Sequence, residues 1–260
     1  MALLETREVN VRFGGNHAVR DVDLDVEAGR VTGLIGPNGA GKTTIFNVIT
    51  GLQEMASGQV LLDGNDVSKL LPHQRARRGI GRTFQRLEVF GSLSARDNIL
   101  TAAEIHKSWA RDKSDPRRVT EEIIERVGIG AVADDRVDAM PTGQARLVEL
   151  GRALATRPRV LLLDEPASGQ DEQETDAFAD LLLELAGEGI AILLVEHDVA
   201  LVMRVCSWIH VLDFGAILAV GTAEEIQQNR EVLDAYLGAA AEESSMHATE
   251  QAAHAGDATT

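Results

Sequence analysis

The sequence predicts an α/β fold built on a mostly parallel sheet, and three observations carry that prediction. Short apolar runs at 31–35, 160–163 and 190–195 alternate with stretches of helical spacing. A glycine-rich octet, Gly36-Pro37-Asn38-Gly39-Ala40-Gly41-Lys42-Thr43, joins the first run to an apolar helical stretch at 44–52. Residues 86–158 lose the β-branched runs and gain Arg, Glu and helical periodicity, which reads as a helical insertion between strands.

Each element has its own signal. Residues 21–27, Asp-Val-Asp-Leu-Asp-Val-Glu, alternate strictly between polar and apolar, the pattern of a half-exposed strand. Ala28-Gly29 turns the chain into the buried run 31–35. Residues 59–62 read as another strand, ended by Asp63-Gly64, a hairpin turn pair. In the insertion, Ile123, Ile124 and Val127 sit at helical spacing, and 111–118 reads as a charged, proline-containing loop. Residues 172–188 place Phe178, Leu181, Leu182 and Leu185 on one helical face, a stripe that belongs to the core. The last stretch, 239–260, holds Ala, Glu, Ser and Thr with four acidic and no basic residues, the composition of a disordered tail. His247 and His254 within it are too sparse to make a metal site.

Composition narrows the function. The chain has 260 residues, 44 % of them hydrophobic, enough for a large core. No run approaches the roughly 18 apolar residues of a membrane span. The first ten residues lack a basic-then-apolar leader, and Cys206 is the single cysteine, so a cytosolic protein without an internal disulfide is expected. The net charge is −16, and such a surface repels phosphate backbones, which argues against nucleic acid as a partner.

The octet fits the phosphate-binding loop: Gly, four spacers, Gly, Lys, Thr. Glycines leave room for backbone N–H groups to close around phosphate oxygens. The helix that follows offers unpaired N–H groups and the positive end of its dipole to the same anion. Lys42 is expected to reach the β- and γ-phosphates, and the Thr43 hydroxyl to ligate Mg²⁺. Downstream, the run 160–163 ends in Asp164-Glu165. A carboxylate at a strand end suits a magnesium ion, and its neighbour, pointing elsewhere, suits the base that takes a proton from attacking water. Asp164 is therefore assigned to the metal and Glu165 to the base. His197 follows the run 190–195, where ligand groups of parallel sheets gather. Spacing alone leaves it open between a structural histidine and a γ-phosphate contact.

With these residues in place the chain resembles the ATP-binding subunits of ABC transporters, over about residues 4–238. Arg82-Thr83-Phe84-Gln85 resembles the glutamine loop, with Val89-Phe90, Leu93 and Asn98 at similar spacing. Met140-Pro141-Thr142-Gly143-Gln144 stands at the signature, Leu162-Leu163-Asp164-Glu165-Pro166 resembles Walker B, Ala167-Ser168-Gly169-Gln170-Asp171 the D-loop, and Val195-Glu196-His197-Asp198 the switch histidine.

The resemblance implies a P-loop ATPase domain over 1–238, with a mostly parallel core sheet, an N-terminal antiparallel β part and an inserted α-helical subdomain at about 86–158. It implies ATP bound by Gly36, Pro37, Asn38, Gly39, Ala40, Gly41, Lys42, Thr43, Thr44 and Gln85, with Phe13 stacked on adenine; the other reading of Phe13 is an ordinary strand aromatic. Mg²⁺ falls to Thr43, Gln85 and Asp164. Catalysis falls to Glu165, His197 and Lys42. Thr142, Gly143 and Gln144 of one subunit then face the ATP of a second, with Asp171 in the D-loop between them.

Partners follow from the same resemblance. They are a second ABC ATPase, identical or not, transmembrane permease subunits reached through a groove near 85–90, and indirectly a solute-binding protein. The chain is expected in the cytoplasm, peripheral on the inner face of the cell membrane. Arg12-Phe13-Gly14-Gly15, Ile45-Phe46-Asn47, Leu201-Val202-Met203 and the ending 232–238 look like the branched-chain amino acid importers. Urea or short-amide importers, lipid exporters and soluble non-transport ABC ATPases are the alternatives. The signature departs from Leu-Ser-Gly-Gly-Gln at Pro141 and Thr142, and Gln170 replaces the usual D-loop Leu. Either the composite site is weakened, or backbone N–H groups from Gly143 onward still serve it.

Overall fold

The computed structural model describes residues 2–110 and 113–235; the ending at 236–238 and the tail at 239–260 lie outside these. The chain opens with β1 (Ala2–Phe13) and β2 (Asn16–Glu27), then β3 (Val31–Ile35) and helix α1 (Lys42–Thr50). β4 (Ser57–Leu62) turns through Asp63-Gly64 into β5 (Asn65–Asp66), and α2 (Pro72–Ala76) leads to β6 (Ile80–Arg82). Helices α3 (Ala95–Ala110), α4 (Pro116–Arg126) and α5 (Thr142–Ala155) precede β7 (Val160–Asp164). Then come α6 (Glu172–Gly187), β8 (Ala191–Val195), α7 (Val199–Val205), β9 (Trp208–Asp213), β10 (Ala216–Gly221) and α8 (Ala223–Gln228).

Two sheets result. One is antiparallel, in the order β2-β1-β4-β5. The other has the order β10-β9-β3-β8-β7-β6 and is parallel from β9 to β6, with only β10 running against its neighbour.

The central strands are dry on both faces, as all-apolar runs require. Their period of two divides the core. Val160 and Leu162 of β7, with Leu193 and Val195 of β8, join Ile45, Phe46 and Ile49 of α1 and the inner face of the antiparallel sheet, including Val9, Val22 and Leu24. Leu161, Leu163, Ile192 and Leu194 point the other way, onto Phe178, Leu182 and Leu185 of α6 and residues of α3, α4 and α5. Helix α1 is thereby held between two sheets, which fixes the loop at its N-terminus. Each such Leu or Ile side chain contributes about 1.5–3 kcal/mol by leaving water.

Two readings from the sequence need amending. Of the segment 111–118, residues 111–112 lie outside the described residues and the rest is not all loop: α4 begins at Pro116, and the Asp115 carboxylate caps it by accepting from the Arg117 N–H at 3.1 Å. Proline at the first helical position and Asp before it are helix-start signals. The half-exposed strand at 21–27 starts earlier, at Asn16.

Candidate functional site

The octet forms the turn between β3 and α1. Gly36 has φ 150, and a Cβ there would sit 2.0 Å from the Leu212 carbonyl oxygen of β9. Gly41, the residue before α1, has φ 110, and a Cβ would meet Ala18 O at 2.9 Å. Both glycines are demanded by close backbone approach. Ala40 N donates to Pro37 O at 3.2 Å, closing the turn, and Gly215 N donates to Ala40 O at 3.0 Å, pinning it to the β9–β10 hairpin. Asn38 and Gly39 at the tip are exposed. The first backbone bond of α1 is Ile45 N to Gly41 O, so the N–H groups of Lys42, Thr43 and Thr44 have no intrahelical acceptor.

Lys42 is buried at the first position of α1. Its Nζ donates to Gly36 O at 2.6 Å and Pro37 O at 2.9 Å, spanning the loop. Burial pushes its pKa down, while Glu165 and Asp164 pull it back up. Those two carboxylates therefore lie within electrostatic reach of the ammonium. Thr43 is exposed beside it, and Thr44 is half-buried.

The adjacent carboxylates have opposite environments. Asp164 ends β7 with its side chain 1 % exposed; Oδ2 accepts from Arg82 at 3.1 Å, and the buried Oδ1 has no hydrogen-bond partner. Burial pushes its carboxyl up, and Arg82 pulls it down. Glu165 takes a left-handed backbone conformation, φ 50, uncommon for a side-chain-bearing residue. Its N–H donates to Val195 O at 2.9 Å, and its side chain turns outward. There Oε1 accepts from Gln85 Nε2 at 3.0 Å and lies 2.9 Å from His197 Nε2, a donor in the tautomer protonated there. Gln85, Glu165 and His197 thus meet on one oxygen. An outward carboxylate with a polar neighbour on each side can accept a proton from water.

Glu196 was not singled out in the sequence. It is buried and accepts from the N–H groups of Ala167 at 2.8 Å and His197 at 3.1 Å, tying the ends of β7 and β8 together. Burial raises its pKa, against those donors. Its place beside the histidine was the available signal. Phe13 is 50 % exposed at the end of β1, so it is not a core aromatic.

Thr142, Gly143 and Gln144 form a second group, the first turn of α5. Pro141 is the residue before the helix, a position whose N–H, absent in proline, has no place in the helical ladder, and the first backbone bond is Ala145 N to Pro141 O. The proline therefore removes a hydroxyl without removing any first-turn donor. A Cβ on Gly143 would lie 3.2 Å from Gln170 Cγ and 3.3 Å from Glu174 Oε2, and one on Gly169 would lie 3.1 Å from Thr142 Cβ. The departures at 142 and 170 are packed into one seam. Asp171 caps α6 through a reciprocal pair: its Oδ1 accepts from Glu174 N at 2.8 Å, and Glu174 Oε2 accepts from Asp171 N at 3.1 Å.

Among the described residues no cluster of three or more His, Cys, Asp or Glu is placed to hold an ion alone. The orphan Asp164 Oδ1 and the exposed Thr43 hydroxyl are hard oxygen donors, which fit Mg²⁺ completed by phosphate oxygens.

Comparison with known proteins agrees with this architecture. Residues 19–168 match the family model described as ABC transporter, and residues 216–242 match that of the branched-chain amino acid ATP-binding cassette transporter. The chain is 39 % identical over 251 residues to the high-affinity branched-chain amino acid transport ATP-binding protein BraF of Pseudomonas aeruginosa, covering 92 % of this chain and 98 % of the relative. It is 34 % identical over 238 residues to the lipopolysaccharide export system ATP-binding protein LptB of Haemophilus influenzae, with the same coverages. A solved nucleotide-free ATP-binding cassette from an ABC transporter superposes with a TM-score of 0.81 at 29 % identity, covering 91 % of this chain and 99 % of that one. A glycine-rich loop on a parallel sheet, two carboxylates at the end of β7 and a helical region inserted before that strand are accounted for together: this chain belongs to the ABC transporter family as an ATP-binding subunit.

Proposed function

We propose that the chain is the motor of an importer of branched-chain amino acids, hydrolysing ATP in a site made of its own residues and those of a second ATPase subunit. The observation that carries the hydrolytic part is the meeting of Gln85 and His197 on Glu165 Oε1, at strand ends beside Lys42 and Asp164.

In this reading the loop from Gly36 to Thr44 takes the phosphates on its main-chain N–H groups, Lys42 leaves its loop carbonyls for phosphate oxygens, and Phe13 offers a ring face to adenine. Glu165 takes the proton of the water that attacks the γ-phosphorus; the bond to the β-phosphate oxygen breaks, and ADP and phosphate leave. His197 contacts the γ-phosphate. Thr43, Gln85 and Asp164 would hold Mg²⁺, which would neutralise phosphate charge. Positioned general bases contribute about 10²–10⁴ in rate.

The partition into an ATPase domain at 1–238, with its helical subdomain at about 86–158, belongs to this reading. So does the composite site, with Thr142, Gly143 and Gln144 turned to a neighbour's ATP. Among the described residues no helix is long and apolar enough to cross a membrane. In this reading a solute passes through other subunits, and this chain sits on the cytoplasmic face of the membrane against permease subunits. A groove of about 680 Å³ between β6 and α3, lined by Ile80, Val89, Phe90, Ile105 and Arg152, supports docking of such a subunit. Import of branched-chain amino acids is supported by the relative BraF and by the match at 216–242. Similarity to LptB favours lipid export as the second reading.

Co-purification from the native membrane separates the two readings. Attachment of multi-span permeases and a solute-binding protein that takes leucine, isoleucine or valine is expected. Recovery with lipid-extracting subunits instead would overturn the importer assignment.

A further inference from the structure

The side chain of Arg82 is unusual for a charged residue, being 6 % exposed at the end of β6. Its guanidinium uses three separate nitrogens, two of them on other elements, α1 and β7. Nη2 donates to Asp164 Oδ2 at 3.1 Å, Nη1 to Asn47 Oδ1 of α1 at 2.6 Å, and Nε to its neighbour's carbonyl, Thr83 O, at 3.1 Å. The rings of Phe46 and Phe84 flank it, with centroids 5.4 and 4.6 Å from Cζ. Planar, with five donors in a fixed fork and stacked on aromatic faces, it has no freedom to choose another partner.

The consequence falls on Asp164. With Oδ2 taken by Arg82, the carboxylate cannot rotate without breaking a buried charge-assisted hydrogen bond, and the oxygen without a partner is always Oδ1. The Asn47 bond ties the same guanidinium to α1, whose first turn carries Lys42 and Thr43. We propose that Arg82 is a positioning residue that holds Asp164 Oδ1 toward the Mg²⁺ site and sets the distance between that carboxylate and the Thr43 turn. This rests on the reading of Asp164 as the carboxylate that takes the ion. Groups that orient a metal's ligands are worth about 10–100-fold in metal affinity when removed.

The test is the gain in ATP affinity that Mg²⁺ produces, measured by calorimetry in EDTA and in Mg²⁺ on the full chain. R82K keeps the charge and loses the fork; N47A keeps Arg82 and loses its tether to α1. D164N is the control for the reading itself. Expected results are an ATP affinity in EDTA within about twofold of the parent for R82K and N47A, and a Mg²⁺-dependent gain reduced about tenfold or more in R82K and by less in N47A. An undiminished gain in both variants, or an equal loss with and without Mg²⁺, overturns the role of Arg82 while D164N still loses the gain. A full gain in D164N overturns the reading of Asp164 and the inference with it. If R82K fails to fold by thermal melting, N47A decides alone: an undiminished gain overturns the proposal.

Discussion

The loop at 36–43 and the turn at 141–144 both lead into a helix whose first-turn N–H groups have no intrahelical acceptor, yet they are built differently. In the loop, backbone meets backbone. Gly36 lies against the Leu212 carbonyl and Gly41 against that of Ala18, so the pattern of glycines is imposed by the fold around it. In the turn, side chains do most of the packing: a Cβ on Gly143 would meet Gln170 and Glu174 side-chain atoms at 3.2 and 3.3 Å beside the Gly169 carbonyl oxygen at 3.3 Å, and Thr142 packs on Gly169. A side-chain seam tolerates exchange on both of its sides, and the departures from the family pattern are found there.

That contrast sets the expected effects. On the loop side, Gly36→Ala should cost several kcal/mol, since a Cβ 2.0 Å from a carbonyl oxygen forces backbone to move. Chemical denaturation measures it, and a midpoint unchanged from the parent would remove the contrast. Lys42→Ala should weaken ATP binding by about tenfold or more, by loss of a charge-assisted contact. Calorimetry showing equal affinity would contradict the loop assignment. On the turn side, the double change Pro141→Ser with Thr142→Gly should alter steady-state hydrolysis by less than about threefold, because the first-turn donors are present already. A rise of tenfold would mean that the turn is a weakened site. The smallest effect is expected from Gln170→Leu, under about 1 kcal/mol in stability, as a near-isosteric swap that also removes a buried unpaired oxygen.

What the sequence made legible follows the same line. The run at 31–35 matches β3 residue for residue, and the stripe of Phe178, Leu181, Leu182 and Leu185 is buried as its spacing predicts. Asp164 and Glu165 stand at a strand end, and the adjacent Glu165 and His197 share a hydrogen bond. β1 was not legible. Its alternation resets where Glu8 takes φ 48, and its register with β2 shifts between Thr6 and Val9. β9 and β10 carry no strict polar–apolar alternation, Trp-Ile-His-Val-Leu-Asp and Ala-Ile-Leu-Ala-Val-Gly, so no period of two stood out. Arg82 was visible only as part of a motif. Its partners Asn47 and Asp164 are 35 and 82 residues away, and no local pattern encodes a contact of that span. Asp171 read as part of a D-loop, and its capping of α6 adds a plain structural reason for an acid at that position.

The most direct measurement is phosphate release by the Glu165→Gln variant beside the parent, in Mg²⁺-ATP, with ATP occupancy recorded on the same samples. Occupancy retained while release falls at least a hundredfold is the predicted result, in keeping with a general base worth about 10²–10⁴. Release at the parental rate from the variant, or none from the parent, would contradict it.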